Sequence, residues 1–358
     1  MINKMTEFIR KEGVLLFLSF IIPVGIMIVA YALIHVYPGS TRTVLASDGF
    51  SQYANFHTSF SNMLKDLNQS LFYSWYGSMG LNYWSFISYY LGGVFTPLTV
   101  FFSDVQMPDF IYYLTLLKIG CIGSSFCLYA GRTFSIPKWA QLILSVSYAL
   151  SGFIIAFSEI IMWLDALIYL PLIILGINRI LSVHKPTVLF MTYLLLFVSN
   201  FYMAFMVGIF SFFYAVTAIA LNQKDYFKHF RMYLITSFLA GGASMIMILP
   251  MILDLTNNGE SMSPIKQLKT ADTGPWDLVI KNMIGVYDTT KYGSTPFIYA
   301  GLFALAFCLF FFLTKKNPSK TKNRLWQLIR GVDSQFLSGA VEFTLAGYAY
   351  TEHVFVSI

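Results

Sequence analysis

The sequence predicts an all-α protein, a polytopic membrane helix bundle with about eight spans. Three observations predict it: an apolar composition, a series of long apolar runs, and basic residues that fall in alternate loops. Of the 358 residues, 57% are hydrophobic and 11% are charged, whereas a soluble protein carries roughly 25% charged residues. This composition excludes a disordered chain, a disulfide scaffold and a nucleic-acid-binding domain. We therefore expect the lipid bilayer as a partner, and no nucleic acid.

The apolar runs set the predicted spans, because a helix needs about 20 apolar residues to cross about 30 Å of hydrocarbon. The run 188–221 is too long for one span and is interrupted at Ser199-Asn200, so we divide it there. The first run is too long for a cleavable signal peptide, and no small-residue cleavage site follows it. The predicted spans are 13–35, 111–131, 139–158, 162–181, 188–200, 203–221, 231–253 and 296–314.

The charged residues orient these spans. With the N-terminus in the cytoplasm, the short loops on that side contain Arg132 and Lys138, then Arg179 and Lys185, as the positive-inside rule requires. Most acidic residues fall on the opposite side. The net charge of +6 follows from the same excess of basic residues, so it does not indicate nucleic-acid binding.

One further run, 84–102, is apolar enough to span, but a span there would move every later basic loop to the outside. Gly92-Gly93 and Pro97 also weaken a straight helix. We therefore predict an interfacial or re-entrant helix pair inside a long first external loop, 37–110. A second large external loop is predicted at 254–295, within a membrane domain that covers 1–318.

Asp48 is the first candidate for chemistry, because it is a carboxylate about twelve residues past the first span. One interpretation is structural, with Ser47 or Asp48 capping the helix that runs through Phe56. The other is functional, with Asp48 as a general base at the membrane surface and Gln52, one helical turn away, as a positioning amide. The two interpretations are compatible.

Glu159 and Asp165 flank the predicted turn between the third and fourth spans. One interpretation is a solvated turn with Trp163 as an interfacial anchor. The other is functional: Asp165 opens an apolar helix, so it is expected to point into the bundle or a wet cavity. Lys118 lies near the middle of a predicted span and needs an anionic partner there. A structural ion pair and an anion-binding role both stay open for it.

Other catalytic signatures are absent from the sequence. It contains no GxxxxGK[ST], HExxH or GxSxG motif and no paired Cys/His set. The five histidines have no metal-ligand spacing, and Cys121, Cys127 and Cys308 lie in apolar runs. We therefore predict no metal site and no definite cofactor. A divalent cation between carboxylates is compatible with the sequence, but nothing in it requires one.

Four short motifs occur in an order that matches a known family. They are Asp48-Gly49-Phe50-Ser51-Gln52-Tyr53, Trp163-Leu164-Asp165-Ala166-Leu167 followed by Pro171-Leu172, Asn200-Phe201-Tyr202, and Thr295-Pro296-Phe297-Ile298-Tyr299-Ala300-Gly301-Leu302. With these motifs and this topology, the chain resembles the YfhO family of bacterial membrane proteins, which belong to the type C glycosyltransferases. The resemblance covers roughly residues 10–318.

The resemblance implies an enzyme of the bacterial plasma membrane that takes a sugar from a polyprenyl-phosphate donor. The acceptor would lie outside the membrane, as lipoteichoic acid does in Gram-positive bacteria, and a polyprenyl-phosphate sugar synthase and a small flippase would be partners. By the same resemblance, Asp48 is the catalytic carboxylate, and Glu159 and Asp165 support it or bind the acceptor. The expected substrate-binding residues are Gln52, Tyr53, Lys118, Trp163, Asn200, Tyr202 and Tyr299. Lys118, or Arg42 and Lys65, would neutralise the donor phosphate.

The C-terminal segment 319–358 departs from the family pattern. The last residues can be back-translated into a DNA sequence whose neighbouring reading frame, shifted by one base, encodes a continuing membrane segment of that family. We hypothesise a frameshift between about Lys320 and Gly331. A truncated glycosyltransferase is thus the leading expectation, and the alternatives are a transporter or flippase of lipid-linked substrates and an inactive fragment.

Overall fold

The computed structural model describes residues 2–46, 48–66, 70–75, 80–222 and 226–257. By its contacts, the chain divides into two compact units, one formed by Met1–Leu150 with Phe157–Gly259 and the other by Ser151–Ala156 with Glu260–Ile358. Several predictions lie outside the described residues: the eighth span, most of the second external loop, Tyr299, Cys308 and the C-terminal segment.

Helices make up nearly all of the regular structure. Within the described part, the α-helices are α1 (Ile2–Leu33), α2 (Ala54–Lys65), α3 (Tyr83–Tyr90), α4 (Met107–Thr133), α5 (Lys138–Ala149), α6 (Gly152–Ala156), α7 (Leu164–Val183), α8 (Thr187–Ser199), α9 (Phe201–Asn222), α10 (Tyr226–Ala243) and α11 (Met245–Asn257). A π-helical turn, Gly49–Tyr53, precedes α2, and 3-10 helices cover Thr96–Phe101 and Asp104–Gln106. Two short antiparallel strands, β1 (Tyr73–Ser74) and β2 (Leu81–Asn82), pair Tyr73 with Asn82.

The prediction of an all-α polytopic membrane protein is confirmed. Five described helical stretches are long and apolar enough to cross a membrane, and they match the predicted first, second, third, fourth and sixth spans. These stretches are Glu12–Leu33, Asp104–Thr133, Lys138–Ala156, Leu164–Val183 and Phe201–Ala220. The predicted fifth span corresponds to α8, which has only 13 residues.

The predicted seventh span, 231–253, is not a straight helix. Its two parts, Phe227–Ala243 and Met245–Asp254, meet at an angle of 69°. The break falls at Ser244, two positions after Gly241-Gly242, and Ser244 Oγ donates to the Gly241 carbonyl at 2.8 Å. Glycine and serine together are a recognised cause of such kinks. The segment is therefore either a broken span or a re-entrant loop.

Small residues let the central helices approach closely. A methyl group at Gly123 of α4 would lie 2.2 Å from the Ser19 carbonyl oxygen of α1, and one at Gly176 of α7 would lie 2.7 Å from the Leu189 backbone nitrogen of α8. Small residues at helix interfaces are typical of membrane bundles. Helix α4 packs against α1, α5 and α7, and so lies at the centre of the larger unit.

As predicted, the segment 84–102 does not form a single helix. It consists of α3, a turn at 91–95 and the 3-10 helix. The turn fits tightly between neighbours, because a methyl group at Gly92 would lie 2.1 Å from the Val198 carbonyl oxygen. On the other side of the segment, Ser61 of α2 donates to the Thr99 carbonyl at 3.1 Å. These contacts fix the position of α3, which carries several residues of the candidate site.

Candidate functional site

Asp48 presents an exposed carboxylate at the start of the helical segment that leads into α2. Its backbone is already helical, and its side chain makes no capping hydrogen bond. Asp48 thus occupies the N-cap position without capping it through its side chain, and Ser47, the other predicted cap, lies outside the described residues. Gln52 Nε2 donates to Asp48 Oδ1 at 3.3 Å, so the two side chains are in contact one helical turn apart, and the role of Gln52 as a positioning amide stays a prediction.

Gln52 is held in turn by a residue that is distant in sequence. The Tyr90 hydroxyl of α3 donates to Gln52 Oε1 at 3.4 Å. This bond leaves the amide N–H groups of Gln52 facing Asp48, because an amide has one accepting and one donating end. The chain Tyr90–Gln52–Asp48 thus orients the carboxylate from outside its own helix.

Glu159 lies in the turn 157–163 and is half-buried. Burial raises the pKa of its carboxyl group, and the negative charge of Asp48 raises it further. The charge of Asp48 thus reaches Glu159, although 111 positions separate the two residues in the sequence. Of the three predicted carboxylates, Asp48 and Glu159 therefore lie in the same region of the structure.

Five aromatic residues form a wall beside these carboxylates, which we call the aromatic wall. They are Tyr53, Tyr89, Tyr90, Trp163 and Tyr202. Ring centroids lie 6.2 Å apart for Tyr53–Tyr90, 4.6 Å for Tyr89–Tyr90, 6.4 Å for Tyr89–Tyr202 and 6.0 Å for Trp163–Tyr202. The wall joins three predicted site residues to Tyr89 and Tyr90, which were not among the predicted site residues.

The charges of the two carboxylates act on tyrosines of the aromatic wall. Burial raises the pKa of Tyr53, and the charges of Asp48 and Glu159 add to the effect. Burial likewise raises the pKa of Tyr89, and the charge of Asp48 adds to the effect. Both phenols therefore stay neutral and serve as hydrogen-bonding groups rather than bases. Trp163 is buried, so it is not the lipid-exposed anchor that one interpretation expected.

Asp165 lies deeper, in a buried ion pair. Its Oδ2 is 2.7 Å from Lys118 Nζ, and the two side chains are only 1% and 2% exposed. Lys118 Nζ also donates to the Ile161 carbonyl at 3.0 Å. The predicted anionic partner of Lys118 is thus Asp165. Since Lys118 is buried and paired, the structure favours the ion-pair interpretation over anion binding.

Asn200 connects α9 to α3. Its side-chain oxygen accepts from the Met203 backbone N–H at 2.7 Å, which caps α9, and its Nδ2 donates to the Tyr89 carbonyl at 2.9 Å. Both ends of the amide are used by the backbone, and the residue is fully buried. Its observed contacts therefore position Tyr89 and the first turn of α9, which carries Tyr202.

His57 is a buried residue near the site that the sequence did not single out. Its Nδ1 lies 2.7 Å from the Tyr53 carbonyl oxygen, so this nitrogen carries the proton. Burial lowers the pKa of His57 to about 4. A spacing of four residues between Tyr53 and His57 within a helical segment is the local signal that could have found this contact.

Two basic residues of the first external loop, Arg42 and Lys65, are exposed. Arg42 Nη1 donates to the Ile34 carbonyl at 3.3 Å, and Lys65 Nζ donates to the Phe102 carbonyl at 2.7 Å. Each cation keeps further N–H groups for another partner. Among the described residues, no group of three His, Cys, Asp or Glu side chains is arranged to hold a metal ion.

The chain was compared with known protein families, curated proteins and solved structures. The family model described as "Bacterial membrane protein YfhO" matches residues 19–330. No curated protein and no solved structure gave a significant match.

Proposed function

Since the chain belongs to the YfhO family of bacterial membrane proteins, we propose that it is a membrane glycosyltransferase. The proposed donor is a polyprenyl-phosphate-linked sugar, and the proposed acceptor is an extracytoplasmic polymer such as lipoteichoic acid. We place the protein in the plasma membrane with its N-terminus in the cytoplasm, because that orientation puts the basic loops inside. Asp48 and the aromatic wall then lie on the outer side.

One observation carries the proposal: an exposed carboxylate, oriented by an amide, lies beside a second carboxylate and a wall of aromatic rings. Asp48 is exposed, Gln52 donates to it at 3.3 Å, and its charge acts on Glu159. A carboxylate held in this way suits the removal of a proton from an acceptor hydroxyl. Aromatic rings with polar edges suit a sugar, which has apolar C–H faces and a rim of hydroxyl groups.

The proposed reaction is a single displacement. Asp48 removes the proton of the acceptor hydroxyl, and the oxygen forms a bond to the anomeric carbon of the donor sugar. The bond between that carbon and the phosphate oxygen breaks, and polyprenyl phosphate leaves with the electron pair. The anomeric configuration is inverted. The leaving group is an anion that needs no protonation, so the protein mainly has to supply the base and neutralise the developing charge.

For that neutralisation we propose the two exposed cations of the first loop, Arg42 and Lys65. Lys118, also considered from the sequence, is 2% exposed and bonded to Asp165. A phosphate could reach it only by breaking a buried pair, and leaving Asp165 without its partner would be strongly unfavourable. Lys118 is therefore not part of the proposed phosphate site.

A transporter or flippase of the same lipid-linked sugar would share the aromatic residues and the basic loops. The oriented carboxylate favours transfer over transport, because transfer to a hydroxyl requires a proton to be removed from the substrate, whereas translocation of the lipid does not. The experiment uses the full chain in liposomes that contain a polyprenyl-phosphate sugar, with a lipid-anchored polyol phosphate as acceptor. Sugar transfer and donor translocation are measured separately for the wild type and for Asp48→Asn.

We expect Asp48→Asn to lower transfer at least about 100-fold, the lower range for general base catalysis, and to leave any translocation unchanged. The matched control is Asp104→Asn, another exposed carboxylate of the same loop, whose contact is a 3.4 Å bond from Asn62 Nδ2. Equal transfer by wild type and Asp48→Asn would overturn the assignment of the base. Translocation without transfer by the wild type would favour the transporter, and neither activity would favour the inactive fragment.

A further inference from the structure

The buried pair Lys118–Asp165 lies inside two membrane-spanning stretches, where ionisable side chains are costly. The pair is short, 2.7 Å, and nearly inaccessible. A buried ion pair is a weak source of stability, because apolar residues of similar volume often hold a fold equally well. Its neighbours indicate another role, since each member contacts a segment that carries part of the candidate site.

Lys118 contacts the segment that carries Glu159. Besides Asp165, its Nζ binds the Ile161 carbonyl at 3.0 Å. Ile161 lies in the turn 157–163, where its own N–H donates to the Glu159 carbonyl at 2.9 Å. The lysine of α4 therefore holds the backbone of this turn two residues from Glu159 and two from Trp163.

Asp165 contacts the segment that follows Tyr89 and Tyr90. A methyl group at Gly93 would lie 2.6 Å from Asp165 Oδ2 and 3.1 Å from Thr96 Oγ1. The backbone at Gly93 therefore packs directly on the carboxylate, and only a glycine leaves room for this contact. The turn that ends α3 is thus located by Asp165.

These contacts converge on Asp48. The turn 157–163 brings Glu159 close enough to Asp48 to feel its charge, and α3 supplies the Tyr90 hydroxyl that holds Gln52. We propose that Lys118 and Asp165 form a positioning pair, which fixes Glu159 and Tyr90 relative to Asp48 without touching substrate. This proposal rests on the proposed function for its catalytic consequence, but its geometric part can be tested without any activity.

The test compares Lys118→Met/Asp165→Leu with the wild type, both as full chains in liposomes. The double variant removes both charges and keeps the approximate volume, so it leaves no unpaired buried ion. Four quantities are measured: the melting temperature, the ionisation midpoint of Glu159 by infrared spectroscopy (with Glu159→Gln to assign the band), kcat and KM, the last two for sugar transfer. The matched control is Gln141→Leu, which removes a buried side chain that donates to the Cys127 carbonyl at 2.7 Å.

We expect the double variant to melt within a few degrees of the wild type, to ionise Glu159 at a lower pH, and to lose at least ten-fold in kcat with little change in KM. Gln141→Leu should change only the melting temperature. A stable double variant with an unchanged Glu159 midpoint would overturn the proposal. If the double variant does not fold, Gly93→Ala decides by the same Glu159 measurement, because it pushes the turn off Asp165 and keeps both charges.

The two proposals fail in different ways. A wild type that transfers no sugar contradicts the glycosyltransferase assignment. The Glu159 midpoint still reports whether the pair positions the turn, because it is read without substrate. Conversely, the wild type can be active while the double variant leaves the Glu159 midpoint unchanged. That result keeps the glycosyltransferase proposal and rejects the positioning role.

Discussion

Trp84 donates its indole N–H to the carbonyl oxygen of Ile246, 2.8 Å away. In an unbroken helix this carbonyl would accept from the N–H of residue 250, but residue 250 is a proline and has no N–H. The side chain of α3 therefore supplies the donor that α11 lacks. Because hydrocarbon offers no water to replace a missing donor, this bond ties α3 to the bent pair α10–α11.

The same arrangement occurs in α7. Pro171 removes the donor for the Leu167 carbonyl, and the Tyr148 hydroxyl of α5 donates to that oxygen at 3.0 Å. In both helices the position of a proline determines which carbonyl needs an outside donor, and an aromatic side chain from another helix provides it. These prolines therefore specify helix contacts as well as interrupting a helix.

We predict that Trp84→Phe lowers the free energy of unfolding by about 1–3 kcal/mol, the cost of an acceptor left unpaired where hydrocarbon supplies no water. The cost should fall when Pro250→Ala is present, because the new backbone N–H at position 250 can pair with Ile246. A double-mutant cycle of melting measurements tests this coupling. Equal costs of Trp84→Phe in both backgrounds would contradict the explanation, and Tyr148→Phe with Pro171→Ala provides an independent second cycle.

A second prediction concerns the orientation of Asp48. Gln52→Leu removes the amide at 3.3 Å and should lower kcat about ten-fold, because the carboxylate is no longer oriented toward the acceptor. Tyr90→Phe removes the 3.4 Å bond to Gln52 and leaves the amide of Gln52 in place, so it should cause a smaller, few-fold loss. Steady-state sugar transfer measures both. A larger effect of Tyr90→Phe than of Gln52→Leu would show that Tyr90 acts on substrate directly.

The local part of this site could be predicted from the sequence, and the long-range part could not. Asp48 and Gln52 are four residues apart in a helical segment, so their contact follows from helical spacing. Tyr90 approaches Gln52 only because the glycine turn after α3 packs against α7 and α8, which no short-range pattern encodes. Lys118 was expected to have an anionic partner, but its choice of Asp165 depends on how α4 packs against α7.

The predicted role of Asn200 also shows where prediction from a sequence motif stops. The sequence placed it among the substrate-binding residues through a family motif, whereas its contacts in the structure are with the backbone. A capping residue and a binding residue can have the same motif, because both need a short polar side chain. Only the positions of Met203 N–H and the Tyr89 carbonyl distinguish them.

The raised pKa of Glu159 predicts a pH dependence of stability. Its ordinary value is 4.5, and burial followed by the charge of Asp48 raises the pKa in the folded protein. The folded state therefore binds more protons than the unfolded state above pH 4.5. The contribution of Glu159 to stability is present at low pH and is lost as the pH rises through the raised pKa. Melting temperatures measured against pH should decline less across this window in Glu159→Gln.

Asp48→Asn provides the control for the cause of that shift. It removes the second contribution and keeps the burial of Glu159, so the ionisation midpoint of Glu159 should fall part of the way toward 4.5. Infrared titration measures the midpoint. An unchanged midpoint would place the two carboxylates too far apart to share an acceptor site.

His57 predicts the opposite dependence on acid. Its pKa is lowered from 6.5 to about 4, chiefly by burial, so the folded state binds fewer protons between these two values. Its contribution to stability is present above pH 6.5 and is lost as the pH falls toward 4, up to about 3 kcal/mol in total. His57→Gln should reduce this acid destabilisation in melting experiments. His35→Asn, at an exposed histidine with a φ of 60° that asparagine tolerates, should retain it.

The two bonds of Asn200 can be separated by substitution. Asn200→Asp keeps an acceptor for the Met203 N–H and removes the donor to the Tyr89 carbonyl, whereas Asn200→Ala removes both. The cap alone is worth about 1 kcal/mol, so Asn200→Ala should lose the cap energy in addition to the Tyr89 bond.

However, Asn200→Asp also buries a carboxylate beside a carbonyl oxygen, which adds a repulsion that falls when the carboxyl group is protonated. At low pH that group is neutral and can itself donate to the Tyr89 carbonyl. The melting temperature of Asn200→Asp should therefore approach that of the wild type at low pH, whereas the melting temperature of Asn200→Ala should not. If the two variants instead respond equally to pH, the Tyr89 carbonyl is not a partner of residue 200, and α9 does not position α3.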